Sequence, residues 1–377
     1  MAQQLLRLLL RVSEKAANVA RICRQETPLF ELLVQEKTGE DKNKKFVRDF
    51  KTLADVVIQE MIRHDVCVQF PELKGFIHGE ESNKFDNGLG ESVLVTVCAL
   101  EEETATMLAT VLDGNHKAAS LLAAAIHQDL QLTDEMAESL ELPLHPSDLA
   151  LWIDPIDATS QYIKGQVEVV AEGEICPSGL QCALVLIGAY LRATGEPVIG
   201  VINQPFAERD LVSQSWKGQH FWGVSCGSIN AFSIPKPICH TAEESLSIVL
   251  SSSEKQVVKD ALTPLCGGRF IYAAGAGYKT LCVILNLADV YVLSEGSTFK
   301  WDSCASHALL RAMGGGVIDL KESLLSFEKD ESPRELTYHQ ARPGSQGAER
   351  WANHGGLIAY LDNNKLKTVI GALLGKL

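Results

Sequence analysis

The stretch Trp152-Ile153-Asp154-Pro155-Ile156-Asp157-Ala158-Thr159 leaves an apolar run and delivers two carboxylates and a hydroxyl within six residues. Leu149, Leu151 and Ile153 are bulky apolar residues of the kind that fill a buried strand, and Pro155 lacks the N–H that a ladder needs, so the strand is expected to stop at Asp154. Two acids on a rigid turn suit hard divalent cations that prefer oxygen ligands, and the Ile156 carbonyl faces the same way as a further donor. The plain alternative is an ordinary turn, since Asp and Pro are common turn formers.

A two-metal centre needs carboxylates from several segments, and three other places offer them. Glu80 and Glu81 follow a short apolar run through Phe76 and Ile77. Asp55 opens a helical pattern after Phe50-Lys51-Thr52. Asp302 precedes Ala305, Ala308, Leu309 and Ala312, which recur at helical spacing and end at Gly314-Gly315-Gly316. Taken singly, an acid in the first turn of a helix is a cap or a dipole partner.

Together these segments resemble the magnesium-dependent, lithium-sensitive phosphatase family that includes inositol monophosphatases, fructose bisphosphatase and bisphosphate nucleotidases. One family signature, an apolar residue followed by D-P-[IL]-D-[GS]-T, matches Trp152 to Thr159; the other, W-D-x(2)-A-x(4)-L-x(3)-G-G, matches Trp301 to Gly315. Phe50–Asp55, Gly79–Asn83, Tyr162–Gly165, Ala273–Lys279 and Arg350–Tyr360 are most similar to the family branch that acts on inositol polyphosphates. The likeness runs from Ser13 to Tyr360, with Gly227–Leu246 matching nothing in the family. Ala158 stands where the family has Gly or Ser and cannot donate a side-chain hydrogen bond, which implies tuned affinity with activity retained.

What the resemblance implies is a layered αβαβα sandwich of the α/β (α+β) class in two lobes. Residues 1–200 would carry most metal ligands; residues 201–377 would carry substrate contacts and the last ligand. Two or three magnesium ions are implied, with lithium as inhibitor. Glu80, Asp154 and the Ile156 carbonyl would hold the first ion, and Asp154, Asp157 and Asp302 the second, with Glu81 supporting the metal shell. Thr159, hydrogen-bonded to Asp55, would orient the attacking water beside Glu80. Asp157, Ala158, Thr159, Ser253, Lys255, Gly275, Ala276, Lys279 and Ser297 would contact the inositol and its distal phosphate. The implied reaction removes the 1-phosphate of inositol 1,4-bisphosphate and inositol 1,3,4-trisphosphate, in phosphatidylinositol signalling. The alternatives are a 3′(2′),5′-bisphosphate nucleotidase, which wants an aromatic or apolar slot for adenine, and a non-catalytic inositide-binding protein, which the full set of acids disfavours. A covalent cysteine phosphatase is not supported, because no C-x(5)-R loop is present.

The residues of the second lobe carry their own, weaker signals. Ser251–Lys255 joins a strand to a helix, where hydroxyls, free N–H groups and the dipole favour an anion, although a serine cluster there also serves as an N-cap. Gly275–Lys279 is a small-residue loop that permits close backbone approach.

A formal charge of −14 argues against nucleic acid and anionic membrane as partners, since both require a basic face. An anionic small molecule stays possible, because bound cations reverse the local field. No stretch approaches the roughly 18 to 20 apolar residues that cross a bilayer, and the Leu-rich start lacks a signal-peptide cleavage site. A cytoplasmic monomer is expected. Ten cysteines without C-x-x-C or zinc spacing imply reduced, structural thiols, with Cys98, Cys182, Cys282 and Cys304 inside apolar patterns.

In chain order, the spacing of Leu5, Leu9, Val12, Ala16 and Val19 predicts a long amphipathic helix, and helices are expected over 52–62, 101–112 and 116–128. Glu101–Glu103 opens one of these, where acids suit the dipole. Lys42–Lys45 is a basic connector. Strands are expected at 93–98, 181–191, 198–203 and 220–224, with Asp129–Ser147 irregular. From Ser245 strands alternate with helices: strands 248–250, 270–273 and 290–293, helices 254–262, 278–288 and 302–313. The change of texture near residue 200 marks the expected lobe boundary.

Overall fold

The computed structural model describes residues 2–25, 34–39, 42–43, 49–87, 89–167, 169–235 and 245–377. Lys44 and Lys45, and residues 236–244 of the unmatched 227–246 stretch, lie outside the described residues. Helix α1 (Ala2–Gln25) buries Leu5, Leu9, Val12, Ala16 and Val19 on one stripe, as their spacing dictates. Strands β1 (Val34–Glu36) and β2 (Phe50–Thr52) pair antiparallel, and Thr52 caps α2 (Leu53–Gln69). Next come β3 (Ile77–Gly79), the hairpin of β4 (Lys84–Asp86) and β5 (Ser92–Leu94), α3 (Glu101–Val111), α4 (His116–His127) and the short α5 (Glu135–Ser139). The strand expected over 93–98 ends at Leu94, because β5 has only β4 beside it; Cys98 instead donates its N–H to Thr104 Oγ1.

Strand β6 (Leu149–Asp157) does not stop at Asp154. Its register against β7 (Leu184–Leu191) shifts between Asp154 and Asp157, so Pro155 sits in a bulge where no ladder N–H is needed. Strand β8 (Pro197–Arg209) likewise outruns its expected end at Asn203, with Pro205 inside a second register shift between Gln204 and Glu208. The chain continues through α6 (Thr159–Lys164), β9 (Trp216–Cys226), β10 (Ile229–Phe232), β11 (Ile248–Leu250), α7 (Gln256–Cys266), β12 (Ile271–Tyr272) and α8 (Ala276–Ile284). It closes with β13 (Val290–Leu293), α9 (Lys300–Ala312), β14 (Gly316–Asp319), α10 (Leu320–Phe327), β15 (Leu357–Tyr360) and α11 (Asn363–Leu373). Residue 200 lies within β8, and the chain passes from one large sheet to the other between Phe232 and Ile248.

The six-stranded sheet has the order β10-β9-β8-β7-β6-β3, and the five-stranded sheet β12-β11-β13-β15-β14. Alternation along β6 sends Leu149, Leu151 and Ile153 to a core shared with α1 and α2, and Ala150 and Trp152 to a core shared with α8 and α9. That second core also takes Val249, Tyr291 and Leu357 from the inner face of the five-stranded sheet. Its outer face packs Ile248, Leu250 and Val292 against α7, α10 and α11. The result is the α/β layered αβαβα sandwich. The nine described cysteines are free thiols; Cys182, Cys282 and Cys304 are buried, while Cys98 is half-buried. Among the described residues no helix is long and apolar enough to cross a membrane.

Helix α9 lies against the six-stranded sheet along a row of glycines. Gly188, Gly200 and Gly223 stand opposite one another on β7, β8 and β9, in line with Trp152 of β6. A Cβ on Gly188 would fall 2.6 Å from the Ala305 nitrogen, one on Gly200 2.0 Å from the Ala305 oxygen and one on Gly223 2.8 Å from Leu309 Cα. These are backbone or near-backbone atoms, so a side chain here moves the whole helix. Gly200→Ala is therefore expected to lower unfolding free energy by about 1–3 kcal/mol in urea titrations. Gly371→Ala, on α11 with nothing within 4 Å of its Cβ position, is expected to raise it by about 0.5–1 kcal/mol.

Candidate active site

The end of β6 carries Asp154 and Asp157, and the first turn of α9 carries Asp302; one oxygen of each lies within 4.8 Å of the other two. Two of the three acids are held by backbone donors. Asp302 is the third residue of α9, and its Oδ2 accepts the Phe299 N–H at 2.5 Å, a side-chain cap of the helix start. Asp157 Oδ2 accepts the Gly277 N–H at 2.9 Å, at the start of α8. Buried Asp154 Oδ1 has no hydrogen-bond partner among the described residues. Burial, then the neighbouring acids Glu80 and Asp157, push the Asp154 carboxyl well above the usual range. Burial and then Asp157 and Glu80 do the same to Asp302. Asp157 is pushed up to about 6, chiefly by burial, against the pull of Lys279 and the Gly277 N–H. Three converging carboxylates, one with an orphaned oxygen, fit a hard divalent cation such as magnesium.

The second acid group has a fixed counter-charge. Lys37, just past β1, places its Nζ 2.5 Å from both Glu80 and Glu81. Burial pulls the Lys37 ammonium down, but Glu80, Glu81 and Asp49 outweigh it and hold it well above its ordinary value. Gln59 on α2 grips the Glu81 backbone from both sides, donating to its carbonyl at 2.5 Å and accepting its N–H at 2.9 Å. Gly79 is required beside this clamp, since a Cβ there would lie 2.0 Å from Gln59 Oε1. Lys37, Asp49 and Gln59 were not foreseen from the sequence, and Gly277 only as part of the small-residue loop, without its bond to Asp157. The G-E-E-S-N motif marked Glu80 and Glu81, but their partners lie 22 and 43 residues away with no periodic pattern to announce them.

The hydrogen bond expected between Thr159 and Asp55 is not formed. Thr159 Oγ1 folds back three residues to donate to the Ile156 carbonyl at 3.0 Å, a local contact natural to a Thr that begins a helix. Asp55 Oδ2 accepts from both the backbone N–H and the hydroxyl of Thr52, at 2.7 and 2.6 Å, completing the cap of α2. Asp55 Oδ1 is buried with no hydrogen-bond partner among the described residues, and burial above all pushes this carboxyl up to about 7. Between the two acids and Thr159, Ala158 adopts the left-handed conformation, φ 64° and ψ 44°. That is where Gly is at ease and Ala is strained.

A cavity of about 550 Å³ opens over these groups. Glu80, Asp154, Ile156, Asp157, Ala158, Thr159 and Asp302 line it, as do Ser253, Gly275, Ala276, Lys279 and Ser297. Lys37, Asp49, Phe50, Tyr272, Phe299 and Trp301 are among its other lining residues. Lys279 is buried, donates to the Gly275 and Ala273 carbonyls at 2.7 and 3.2 Å, and so holds the small-residue loop in shape. Asp55 and Glu81 stand behind the wall. Lys255 is not on it either: its Nζ pairs with Glu295 at 2.9 Å, because the side chain leaves the first position before α7 toward the end of β13.

The sequence profile of the inositol monophosphatase family matches residues 99–366. The inositol polyphosphate 1-phosphatase of Mus musculus is 50% identical over 382 residues, covering 98% of this chain and 96% of the relative. That of Homo sapiens is 48% identical over 389 residues, covering 99% and 98%. Among solved structures, an IMPase/NADP phosphatase complexed with Mg2+ and phosphate superposes with a TM-score of 0.53 at 13% identity, covering 99% of this chain and 96% of that one, a likeness of fold.

The raised carboxyls make a pH prediction. With Asp157 near 6 and Asp55 near 7, against about 3.9 in an unfolded chain, the metal-free fold holds more protons than the unfolded chain between about pH 4 and 7. Its stability is therefore greatest at the acid end of that window and is lost as pH rises through these values. A cation needs the deprotonated acids, so the gain in Tm on adding millimolar magnesium to EDTA-treated protein is expected to be larger at pH 8 than at pH 6. Scanning calorimetry at the two pH values checks the order.

Proposed function

The chain belongs to the inositol monophosphatase family, and on that premise we propose that it removes the 1-phosphate of inositol 1,4-bisphosphate and inositol 1,3,4-trisphosphate in a magnesium-dependent hydrolysis. The observation that carries this reading is the convergence of Asp154, Asp157 and Asp302 in a cavity also lined by Ser253, Gly275, Ala276 and Ser297. The relatives named for this activity match nearly the whole chain.

Glu80, Asp154 and the Ile156 carbonyl would hold one magnesium ion, and Asp154, Asp157 and Asp302 another. Bound there, magnesium supplies the positive charge that neutralises a phosphate ester and makes water a nucleophile near neutral pH. The chain's own groups do the rest. The unpartnered Oδ1 of Asp55, behind the cavity wall, takes up the proton of the attacking water by way of the Thr159 hydroxyl, and its pKa near 7 suits that task near neutral pH. The Thr159 hydroxyl, free to turn from its local bond with Ile156, orients that water. Lys37 holds the Glu80 and Glu81 carboxylates in place through its two ion pairs. Gly275 and Ala276 leave room for the inositol ring, and Ser253 and Ser297 donate to the phosphate that stays on it. A third ion, inhibition by lithium, a monomeric state, a cytoplasmic location and a division into a metal-carrying N-terminal lobe and a substrate-contacting C-terminal lobe belong to the same proposal.

One observation favours a second reading. Phe50, Tyr272, Phe299 and Trp301 give the cavity aromatic surface, with Phe299 and Trp301 stacked at 4.5 Å, which would also suit the adenine of a bisphosphate nucleotide.

Magnesium-dependent phosphate release from a panel of inositol phosphates and adenosine 3′,5′-bisphosphate tests the proposal. Expected is release from the 1-position of inositol 1,4-bisphosphate, none in EDTA, and a fall in kcat of roughly 10²- to 10⁴-fold in Asp55→Asn. Preference for the nucleotide would establish the second reading, and a mutant at full rate would remove Asp55 from the chemistry.

A further inference from the structure

At the rim of the cavity, the loop before α7 and the segment after β13 are held face to face. Glu254 is buried between them and accepts the Ser294 N–H at 3.0 Å, the Ser294 hydroxyl and the Lys255 N–H at 2.9 Å. This clamp fixes the spacing of two pairs. Ser253 and Ser297 look onto the cavity, and just outside them Lys255 Nζ meets Glu295 at 2.9 Å. The Lys255 and Glu295 side chains retain 48% and 37% exposure, so the pair is open to solvent and weakened by it.

We propose that Glu295 is a specificity-determining residue that acts through Lys255: its carboxylate occupies the lysine as an internal anion, to be displaced only by a substrate that carries a second phosphate. The inference rests on the functional reading above. A phosphate brings more negative charge than a carboxylate and three acceptor oxygens, and it finds the Ser253 and Ser297 hydroxyls beside Lys255. A hydroxyl at the same ring position has no charge with which to open the ion pair. After hydrolysis the product still carries its distal phosphate, and Glu295, held next to Lys255 by the Glu254 clamp, competes for the lysine again. The residue thus weakens substrate and product alike, which raises KM without lowering kcat and speeds departure of the product.

The test compares Glu295→Gln, Lys255→Met and the double variant. Release of phosphate from inositol 1,4-bisphosphate by the unmodified protein is measured first; its absence would remove the functional reading and this inference with it. Given activity, Glu295→Gln is expected to lower KM for inositol 1,4-bisphosphate and the inhibition constant of inositol 4-phosphate by about two- to five-fold, the scale of a half-exposed pair, with kcat unchanged. The KM for inositol 1-phosphate is expected to stay as it was. In the Lys255→Met background the same substitution is expected to do nothing, and at high salt, which screens the ion pair, the difference between Glu295→Gln and the unmodified protein is expected to shrink. An unchanged or raised KM for the bisphosphate, an equal gain for the monophosphate, or a gain that survives loss of Lys255 would each overturn the assignment while leaving the phosphatase reading intact.

Discussion

Everything at the site depends on how closely one helix approaches one sheet. Because Gly188, Gly200 and Gly223 remove side chains from a single row, α9 rests with Ala305 and Leu309 almost on the backbone of β7, β8 and β9. Trp152, the fourth member of that row, fills the flank against Trp301, with ring centroids 5.8 Å apart. Trp301 and Asp302 are neighbours in the first turn of α9, so the packing that seats the indole also delivers the carboxylate. Asp154 follows Trp152 by two residues on β6. A short link therefore runs from apolar packing to the distance between acids: the same contact that buries the helix sets the 4.8 Å convergence.

Such convergence costs free energy in the bare protein, and the two acid groups meet that cost differently. Glu80 and Glu81 share a buried ammonium from Lys37, so part of their charge is offset within the fold. Asp154, Asp157 and Asp302 have no such partner at contact distance among the described residues; Lys279 tempers Asp157 but spends its hydrogen bonds on the Gly275 and Ala273 carbonyls. The imbalance is what makes the second group a place for a mobile cation. A buried charge without a counter-charge either takes a proton or takes an ion, and the ion is the outcome that does chemistry.

The sequence was legible wherever the signal was local. Thr52 and Asp55 cap α2 across three residues, the amphipathic stripe of α1 repeats along its length, and the acids of both signatures lie within short, dense motifs. It was misleading at Pro155 and Pro205, each of which looked like the end of a strand. A strand may carry a proline through a register shift, and both prolines sit in one. It was silent where partners are distant. Neither the Lys37 bridge to Glu80 and Glu81 nor the Gln59 clamp follows from spacing. The expected Thr159–Asp55 bond lost to two shorter-range contacts that each residue makes with its own neighbours. Beyond Gly316 the R-W-A-N-H-G-G-L-I-A-Y motif was visible, but not that its Leu357–Tyr360 segment is β15, inserted antiparallel between β13 and β14.

Ala158 shows how the parts hold one another. A left-handed alanine costs about 1–2 kcal/mol relative to an ordinary conformation, and nothing in the residue itself favours it. The conformation is imposed from both sides: Asp157 is tied to the Gly277 N–H on α8, and Thr159 turns its hydroxyl back to the Ile156 carbonyl. From above, Gly275 closes the space, since a Cβ there would come within 3.2 Å of Ala158 Cβ and 3.0 Å of Asp157 Oδ2. The strain at Ala158 is thus the local cost of bending the chain so that Asp157 faces Asp154 and Asp302 while Thr159 faces the cavity. It persists because segments from both sheets over-determine the turn, which is the condition under which backbone strain survives at a working site.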